Sequence, residues 1–348
     1  MGRIVAIGFL CLLLLGCKKN NVNRWNITPD HKVEVVIHDI SKNFFNVEIP
    51  LSTLKADYPF FFDNSSDSIW EAQRRDPKEL SIYHKSLEAF GGLPEFGREI
   101  NPLFSRYLHY FPQTKAPTVF VYSSGLQGVY EPVIYSEEAQ KMFVAMDGFL
   151  GEKSPLYDSI KVYSYLRTSM DRGHVRAQIV RAIGENIVPF DPKKQTFLDL
   201  MLYEGKKLIL ADALIPDEAD EFKIGYTPQE IEWSIQNEGN IWNFFVEQNF
   251  VFKNDKTLYD RFLQVSPFSK FNNEIEQESP GRIGAWIGWQ ILRKYLRENP
   301  SITLPELIND MDSEKIFRQS KYKPSKTEVQ SYRTEKKEGV DELYHYAE

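Results

Sequence analysis

The sequence predicts an α+β fold that is mainly helical, with a small sheet in the N-terminal half and helices packed on it. Strand-like segments occur before residue 150, whereas the apolar residues after Asp158 recur at helical spacing. With 42% hydrophobic residues in 348, the chain can bury a substantial core. Strands followed by helices are typical of an α+β domain, and no glycine-rich phosphate loop follows a predicted strand, which argues against a dinucleotide fold.

Four stretches have the composition of strands, at residues 32–40, 117–125, 129–135 and 142–151. In the first, Val33, Val35 and Ile37 alternate with polar residues, the pattern of a half-buried strand. The second is β-branched and aromatic and ends at a glycine. The third contains Pro132, which cannot donate a hydrogen bond to a neighbouring strand, so this strand is predicted to lie at a sheet edge.

Helices are predicted throughout the rest of the chain. Pro59 ends a short one at residues 50–58, and Pro77 and Gly91 bound another. The helix at residues 94–111 is predicted to break at Pro102. The later helices are predicted at residues 158–170, 172–187, 193–213, 227–248, 257–264 and 281–298, with short ones near 304–319.

The N-terminus carries an export signal. The apolar run at residues 4–16 is too short to span a bilayer and has the length of a signal-peptide core. It leads into "LLGC", Leu14 to Cys17, which resembles the bacterial lipobox, whose cysteine receives a diacylglycerol before cleavage in front of it. A plain signal peptide is the alternative. The position of Cys17 at the end of the run favours lipidation.

The chain divides into four predicted parts: a signal peptide at residues 1–16, a lipidated tether at 17–31, a single α+β domain at 32–320 and a flexible polar tail at 321–348. Of the two cysteines, Cys11 would leave with the signal peptide and Cys17 would carry the lipid, so the mature chain would have no thiol chemistry. The net charge of −7 argues against nucleic acid as a partner. We expect the lipid on Cys17 to bind the protein to a membrane.

A lone carboxylate, Glu204, lies within the apolar segment "LDLMLYEGKKLIL" at residues 198–210. At 100° per residue, it shares a helix face with Phe197, Leu200, Met201, Leu208 and Ala211. A carboxylate on such a face must be paired or protonated. Lys207, one turn away, is the predicted partner.

The pentapeptide "YEGKK" at residues 203–207 matches the zinc-peptidase pattern His-Glu-x-x-His at Glu204 alone. Tyr203 and Lys207 stand at the two histidine positions, and a lysine ammonium has no lone pair to offer a metal. The six histidines, at 31, 38, 84, 109, 174 and 345, include no pair three or four residues apart. The pattern therefore favours a core helix with an internal ion pair, and we expect no metal and no cofactor.

The segment "SSGLQG" at residues 123–128 allows two interpretations. Its serines, bounded by glycines, are compatible with a nucleophilic site, but no GxSxG elbow surrounds them. A turn is the favoured interpretation.

The segment at residues 279–296 carries Gly284 and Gly288 four residues apart on a predicted helix, with Trp286 and Trp289 nearby. Small residues at that spacing favour close packing against the helix that contains Glu204. A groove lined by tryptophan, open to a substrate or partner, is the alternative.

Seven motifs in order resemble the GldB family of gliding-motility lipoproteins from Bacteroidetes. They are "VFVYSSGLQG", "FVAMDGFLG", "MLYEGKKLILADALIPD", "IGYTPQEIEWSIQNEGNIWNFFVEQ", "PFSKF", "PGRIGAWIGWQILRKYL" and "SKYKP". With the lipobox, the resemblance covers roughly residues 30–325. It implies an envelope lipoprotein that is required for gliding and associated with type IX secretion, with other gliding or secretion proteins of the envelope as partners.

The family in turn is similar to a group of predicted zinc-dependent peptidases, which implies a zincin-like, degenerate peptidase architecture. In this resemblance Tyr203, Glu204 and Lys207 are the relic of an active site, without catalysis, because both ligand positions depart from the pattern. Glu238 is a conceivable third ligand, but the first two are missing. The segment after Cys17 lacks the acidic residues of surface-export signals, so we expect an outer-membrane location facing the periplasm.

Three functions remain open on this basis. The first is a non-catalytic envelope lipoprotein, a pseudo-peptidase that acts by protein contacts. The second is a zinc-peptidase-like hydrolase that uses Glu204. The third is a peptide-binding module that keeps the old substrate cleft, with an edge strand at residues 117–123 pairing with an extended client.

Overall fold

The computed structural model describes residues 24–272 and 276–324. The predicted signal peptide, Cys17 and residues 325–348 of the predicted tail lie outside this part of the chain. Within the described residues, no helix is both long and apolar enough to cross a membrane. The described part is mainly helical with one small sheet in the N-terminal half, which confirms the predicted fold class at this level.

Four strands form a mixed sheet in the order β1-β2-β4-β3: β1 (Ile37–Asp39), β2 (Thr118–Tyr122), β3 (Val133–Ser136) and β4 (Lys141–Ala145). β2 pairs in parallel with β1 and with β4, and β3 pairs antiparallel with β4. β3 is at an edge, as its proline predicts. The prediction that residues 117–123 form an edge strand is wrong, because β2 has a neighbour on each side and no free edge for a client peptide.

The predicted strand at residues 32–40 is also mostly wrong, since only its last residues are in β1. The backbone N–H of Val33 donates to Ser105 Oγ at 2.9 Å, and that of Val35 donates to Asn101 Oδ1 at 3.0 Å. Two side chains of the helix at residues 93–110 therefore accept the backbone hydrogen bonds that a neighbouring strand would accept. The alternation of apolar residues remains, because Val33, Val35 and Ile37 still pack against the core.

Fifteen α-helices occur in the described residues: α1 (Ile40–Phe44), α2 (Leu51–Asp57), α3 (Asp67–Arg74), α4 (Pro77–Phe90), α5 (Leu93–Tyr110), α6 (Pro155–Ser159), α7 (Ser164–Arg167), α8 (Val175–Ile187), α9 (Phe197–Leu214), α10 (Asp220–Ile224), α11 (Pro228–Glu247), α12 (Thr257–Phe262), α13 (Ile283–Glu298), α14 (Leu304–Asn309) and α15 (Ser313–Ser320). The helix predicted at residues 158–170 is wrong as a single element, because α6 and α7 are separate there. α4 agrees with its predicted bounds, and Gly91 at its end is left-handed with φ 72°.

α5 continues through Pro102, contrary to the predicted break. Proline removes one helical hydrogen bond and crowds the preceding turn, at a cost of about 3 kcal/mol. Pro102 is exposed, whereas Ile100, Leu103 and Phe104 are buried in the main core. Burial of this apolar face offsets the cost of the proline, so the helix is kept.

α9 lies at the centre of the helical part. Thr196 and Asp199 form a capping box at its start, which ends the preceding loop and fixes the first turn. Fifteen of its residues are buried, and it contacts α5, α8, α10 and α12–α15, with α13 as its most extensive neighbour. Only Asp199, Leu200 and Tyr203 are half-buried, so the other charged residues of α9 must find a partner within the protein.

Candidate functional site

The crossing of α9 and α13 determines the position of Glu204. A β-carbon on Gly288 would lie 1.9 Å from the carbonyl oxygen of Met201, so only glycine allows this approach. The predicted close packing of the two helices is confirmed. The alternative of a tryptophan-lined groove is wrong, because Trp286 and Trp289 are 2% and 0% exposed.

Glu204 is 8% exposed and bound by two cations. Its Oε1 atom accepts a hydrogen bond from Lys207 Nζ at 3.0 Å, which confirms the predicted ion pair. Its Oε2 atom accepts one from Arg282 Nη2 at 3.2 Å. Each carboxylate oxygen of Glu204 therefore has its own cationic donor.

The charge of Glu204 is stable in this environment. Burial by itself would raise the pKa of Glu204, but the charges of Lys207 and Arg282 outweigh it and hold the pKa below its ordinary value of 4.5. The pKa of Lys207 is raised, because the attraction of Glu204 and Glu185 outweighs the desolvation of the ammonium. Both groups are therefore ionised at neutral pH.

Lys207 connects α9 to α8. Its Nζ donates to both carboxylate oxygens of Glu185 at 2.9 Å and lies 4.0 Å from the ring centre of Tyr203. Its aliphatic stem passes Gly184, where an added β-carbon would lie 3.1 Å from Lys207 Cγ. The two positions that would hold zinc-binding histidines in the peptidase pattern are therefore occupied by a protonated amine and by the aromatic ring beneath it.

Arg282 approaches Glu204 from the start of α13. It caps that helix in the left-handed conformation, with φ 60° and ψ 27°, which is uncommon for a residue with a side chain. The preceding Gly281 touches Ser266, since a β-carbon there would lie 2.0 Å from the Ser266 carbonyl oxygen. Tyr226 fixes the same peptide by donating to the Gly281 carbonyl at 2.5 Å. The backbone is thus held in a strained form that aims Arg282 at Glu204.

A cavity of about 1210 Å³ lies beside this charged cluster. Its walls come from residues 129–132 and 161–170, from α8, from α9 and from the loops before α11 and α13. Arg181, Lys207 and Arg282 line it on the side of the cluster. The cavity is therefore a candidate binding site in contact with the charged residues around Glu204.

The other candidate residues lie elsewhere. The "SSGLQG" segment is a turn held by buried Asp147, which accepts hydrogen bonds from Ser124 N at 2.9 Å, Ser124 Oγ at 2.7 Å and Leu126 N at 2.6 Å. Glu238 accepts a hydrogen bond from Tyr322 at 2.8 Å, and burial raises its pKa. No group of three or more potential metal ligands occurs among the described residues.

Sequence reasoning missed Arg181, Glu185 and Arg282 as members of the cluster. The spacing of Arg181 and Glu185 by four residues on one helix was an available signal. The role of Arg282 was not readable in this way, because it depends on the crossing of α9 and α13 and on an unusual backbone conformation.

Comparison with known proteins identifies the family of this chain. The family model described as gliding motility protein GldB matches residues 20–324. The chain belongs to this family of gliding-motility lipoproteins. No curated protein and no solved structure matches the chain.

Proposed function

We propose that this gliding-motility lipoprotein acts through protein contacts rather than catalysis. It would be anchored by a lipid on Cys17 to the outer membrane, face the periplasm and work with proteins of type IX secretion. Its helical domain, with a zincin-like ancestry, would serve as a scaffold built around α9. The relic site at Tyr203, Glu204 and Lys207 would then be structural.

The state of Glu204 carries this proposal. A general base works best with a pKa near the working pH. Both oxygens of Glu204 are bound to cations, and those cations lower its pKa, which makes it a weak base. The ammonium of Lys207 stands where a metal ligand would be required. These groups stabilise one another, which supports a structural role for Glu204 in this proposal.

The experiment compares two buried acids on α9 in living cells. Glu204→Gln removes the carboxylate of the relic site. Asp212→Asn is the matched control, because Asp212 is 4% exposed and binds Arg293, Lys223 and Trp289 away from the relic site. We expect motility to follow protein abundance in both variants, and colony spreading to return when expression is raised to the normal level.

A catalytic Glu204 predicts a different result. The Glu204→Gln protein would then reach normal abundance with no spreading, while Asp212→Asn cells at equal abundance would spread. That difference would overturn the scaffold proposal.

A second candidate, a peptide-binding module, is supported by the cavity next to α9. Its volume exceeds the roughly 300–1,000 Å³ of most small-molecule sites. Client binding would take place in this cavity rather than along β2, whose two edges are occupied. This candidate is compatible with the first, because a scaffold can hold its partner through such a cleft.

A further inference from the structure

The cluster beside the cavity has one more positive than negative group. Arg181, Lys207 and Arg282 line the cavity, and the carboxylates that form ion pairs with them are Glu185 and Glu204. The rest of the lining has charged residues of both signs in equal number, Lys161, Arg167 and Lys223 with Glu152, Asp158 and Glu230. Three cations and two carboxylates leave a surplus of one positive charge. Such a surplus in a partly desolvated site attracts a monovalent anion.

The surplus falls on Arg181. Lys207 binds Glu185 and Glu204 at 2.9 and 3.0 Å, and Arg282 binds Glu204 at 3.2 Å. In the described residues, the carboxylate nearest to the Arg181 guanidinium is Glu185, at 3.9 Å from Nε. That distance is beyond a hydrogen bond, so the donors of Arg181 remain available.

Arg181 is accessible from the cavity. Its side chain is 47% exposed although it sits at the wall of a concave space. The charge of Arg282 is close enough to oppose that of Arg181, so the two guanidinium groups repel each other. A bound anion would relieve this repulsion, and a guanidinium binds a carboxylate with two parallel hydrogen bonds.

The rest of the cavity suits the body of a peptide. The rings of Tyr163 and Tyr165 stack with centroids 5.8 Å apart, and Tyr130 is 61% exposed at the same wall. Val265, 40% exposed, adds apolar surface. Tyrosine and aliphatic walls bind peptide side chains with little loss of entropy, and the cavity is large enough for several residues.

We propose that this cavity binds an extended peptide by its carboxylate, with Arg181 as the principal donor and Arg282 and Lys207 as the fixed positive background. The proposal rests on the peptide-binding candidate above and names its ligand chemistry. The free donors of Arg181 match the planar carboxylate, and the aromatic and aliphatic walls suit the peptide that carries it. The carboxylate can be that of a chain terminus or of an acidic side chain.

The test uses the full-length protein purified in detergent and three pools of random hexapeptides. One pool has a free C-terminal carboxylate and no acidic side chains, the second has acidic side chains and a C-terminal amide, and the third is neutral throughout. Peptides retained by the immobilised protein are counted by mass spectrometry. The variant is Arg181→Gln, and the control is Arg98→Gln, an exposed arginine outside the cavity.

We expect at least one carboxylate pool to be retained ten-fold or more over the neutral pool, and the pool that is retained identifies the source of the carboxylate. Arg181→Gln should lose this preference at an unchanged melting temperature, and Arg98→Gln should keep it. Equal retention of all three pools would overturn the carboxylate proposal while leaving peptide binding intact. Retention of none would overturn both, and an unchanged preference in Arg181→Gln would reject this residue as the donor.

Discussion

Gly205 of α9 and Gly288 of α13 face each other at the helix crossing, where a β-carbon on Gly205 would lie 2.6 Å from the carbonyl carbon of Gly288. The two backbones are therefore in direct contact, with no side chain between them. This contact brings the start of α13, and with it Arg282, within reach of Glu204. Packing of two glycines is in this way the basis of the charged cluster.

Gly288→Ala tests this contact. The added methyl group would overlap the Met201 carbonyl oxygen, so the helices must separate, and we expect a loss of unfolding free energy of about 1–3 kcal/mol or more. Urea denaturation of the full-length protein measures it. Gly97→Ala in α5 is the control, since its β-carbon would meet Ile37 Cδ1 at an ordinary 3.4 Å. That substitution should raise the unfolding free energy by up to about 1 kcal/mol, because alanine has a higher helix propensity than glycine. Equal unfolding free energies of Gly288→Ala and Gly97→Ala would contradict the close backbone contact at Gly288.

Removal of the Glu204 carboxylate should be strongly destabilising. Glu204→Ala leaves Lys207 with only Glu185 and leaves Arg282 without a carboxylate, and breaking a buried pair from one side costs about 3–5 kcal/mol. The double variant Glu204→Leu, Lys207→Met should recover only part of this loss, because Arg282 is still unpaired. A third substitution, Arg282→Met, should recover more. Full recovery of the unfolding free energy in the double variant would show that the ion pair between Arg282 and Glu204 does not stabilise the fold.

The contribution of Glu204 to the unfolding free energy should decrease as the pH falls. Its pKa is lower in the folded protein than its ordinary value of 4.5, so the unfolded chain takes up the proton first as the pH falls. The stabilisation is fully present above about pH 4.5 and is lost as the pH falls below it. The difference in unfolding free energy between wild type and Glu204→Gln should therefore be constant from about pH 7 to 5 and narrow towards pH 3.5.

Urea titrations at four pH values measure this difference. Glu95→Gln, which removes an exposed acid paired with Arg98, serves as the comparison and should have little effect at any pH. A difference for Glu204→Gln that persists undiminished at pH 3.5 would mean that its charge does not stabilise the fold.

Metal analysis tests the proposal that this protein has no zinc-dependent peptidase chemistry. The full-length protein, purified without chelator, should contain much less than one equivalent of zinc, and a chelator should leave its melting temperature unchanged. The physical reason is that Lys207, whose pKa is raised, holds a positive charge at a ligand position. Stoichiometric zinc that disappears in the Glu204→Gln variant would favour the hydrolase instead.

Anchoring should depend on Cys17. Cys17→Ser removes the thiol that would accept the diacylglycerol at the end of the 4–16 apolar run, so the precursor should stay unprocessed. Metabolic labelling with radioactive palmitate and the size of the protein on a gel provide the two readouts. Cys11→Ser, within the apolar run, is the matched control and should be labelled and cleaved normally. A labelled and cleaved Cys17→Ser protein would place the lipid elsewhere.

The sequence was most informative where one local signal decides the structure. Pro77 and Gly91 bound α4 because a proline at the first turn and a left-handed glycine after the last are properties of the chain itself. The pair of Glu204 and Lys207 followed from helix geometry in the same way, because both residues lie on one helix.

Predictions failed where the partner of a segment comes from elsewhere in the chain. Residues 32–36 alternate as a strand does, but the N–H groups of Val33 and Val35 donate to Ser105 and Asn101 of α5. β2 is an interior strand because β1 and β4 lie on either side of it. The composition of β2 does not indicate this strand order. Arg181 and Arg282 are members of the site because α8 and α13 pack against α9, and the sequence does not show that packing.

The burial of α9 around its circumference has a consequence for the order of folding. The helices that cover it come from both sides of it in the sequence, α5 and α8 before it and α13 to α15 after it. A nascent chain that ends at residue 214 therefore leaves the apolar surface of α9 in water. Contacts between distant parts of a chain form slowly, and exposed apolar helices associate with one another meanwhile. We therefore expect correct folding to depend on shielding α9 from other chains until the last helices have docked.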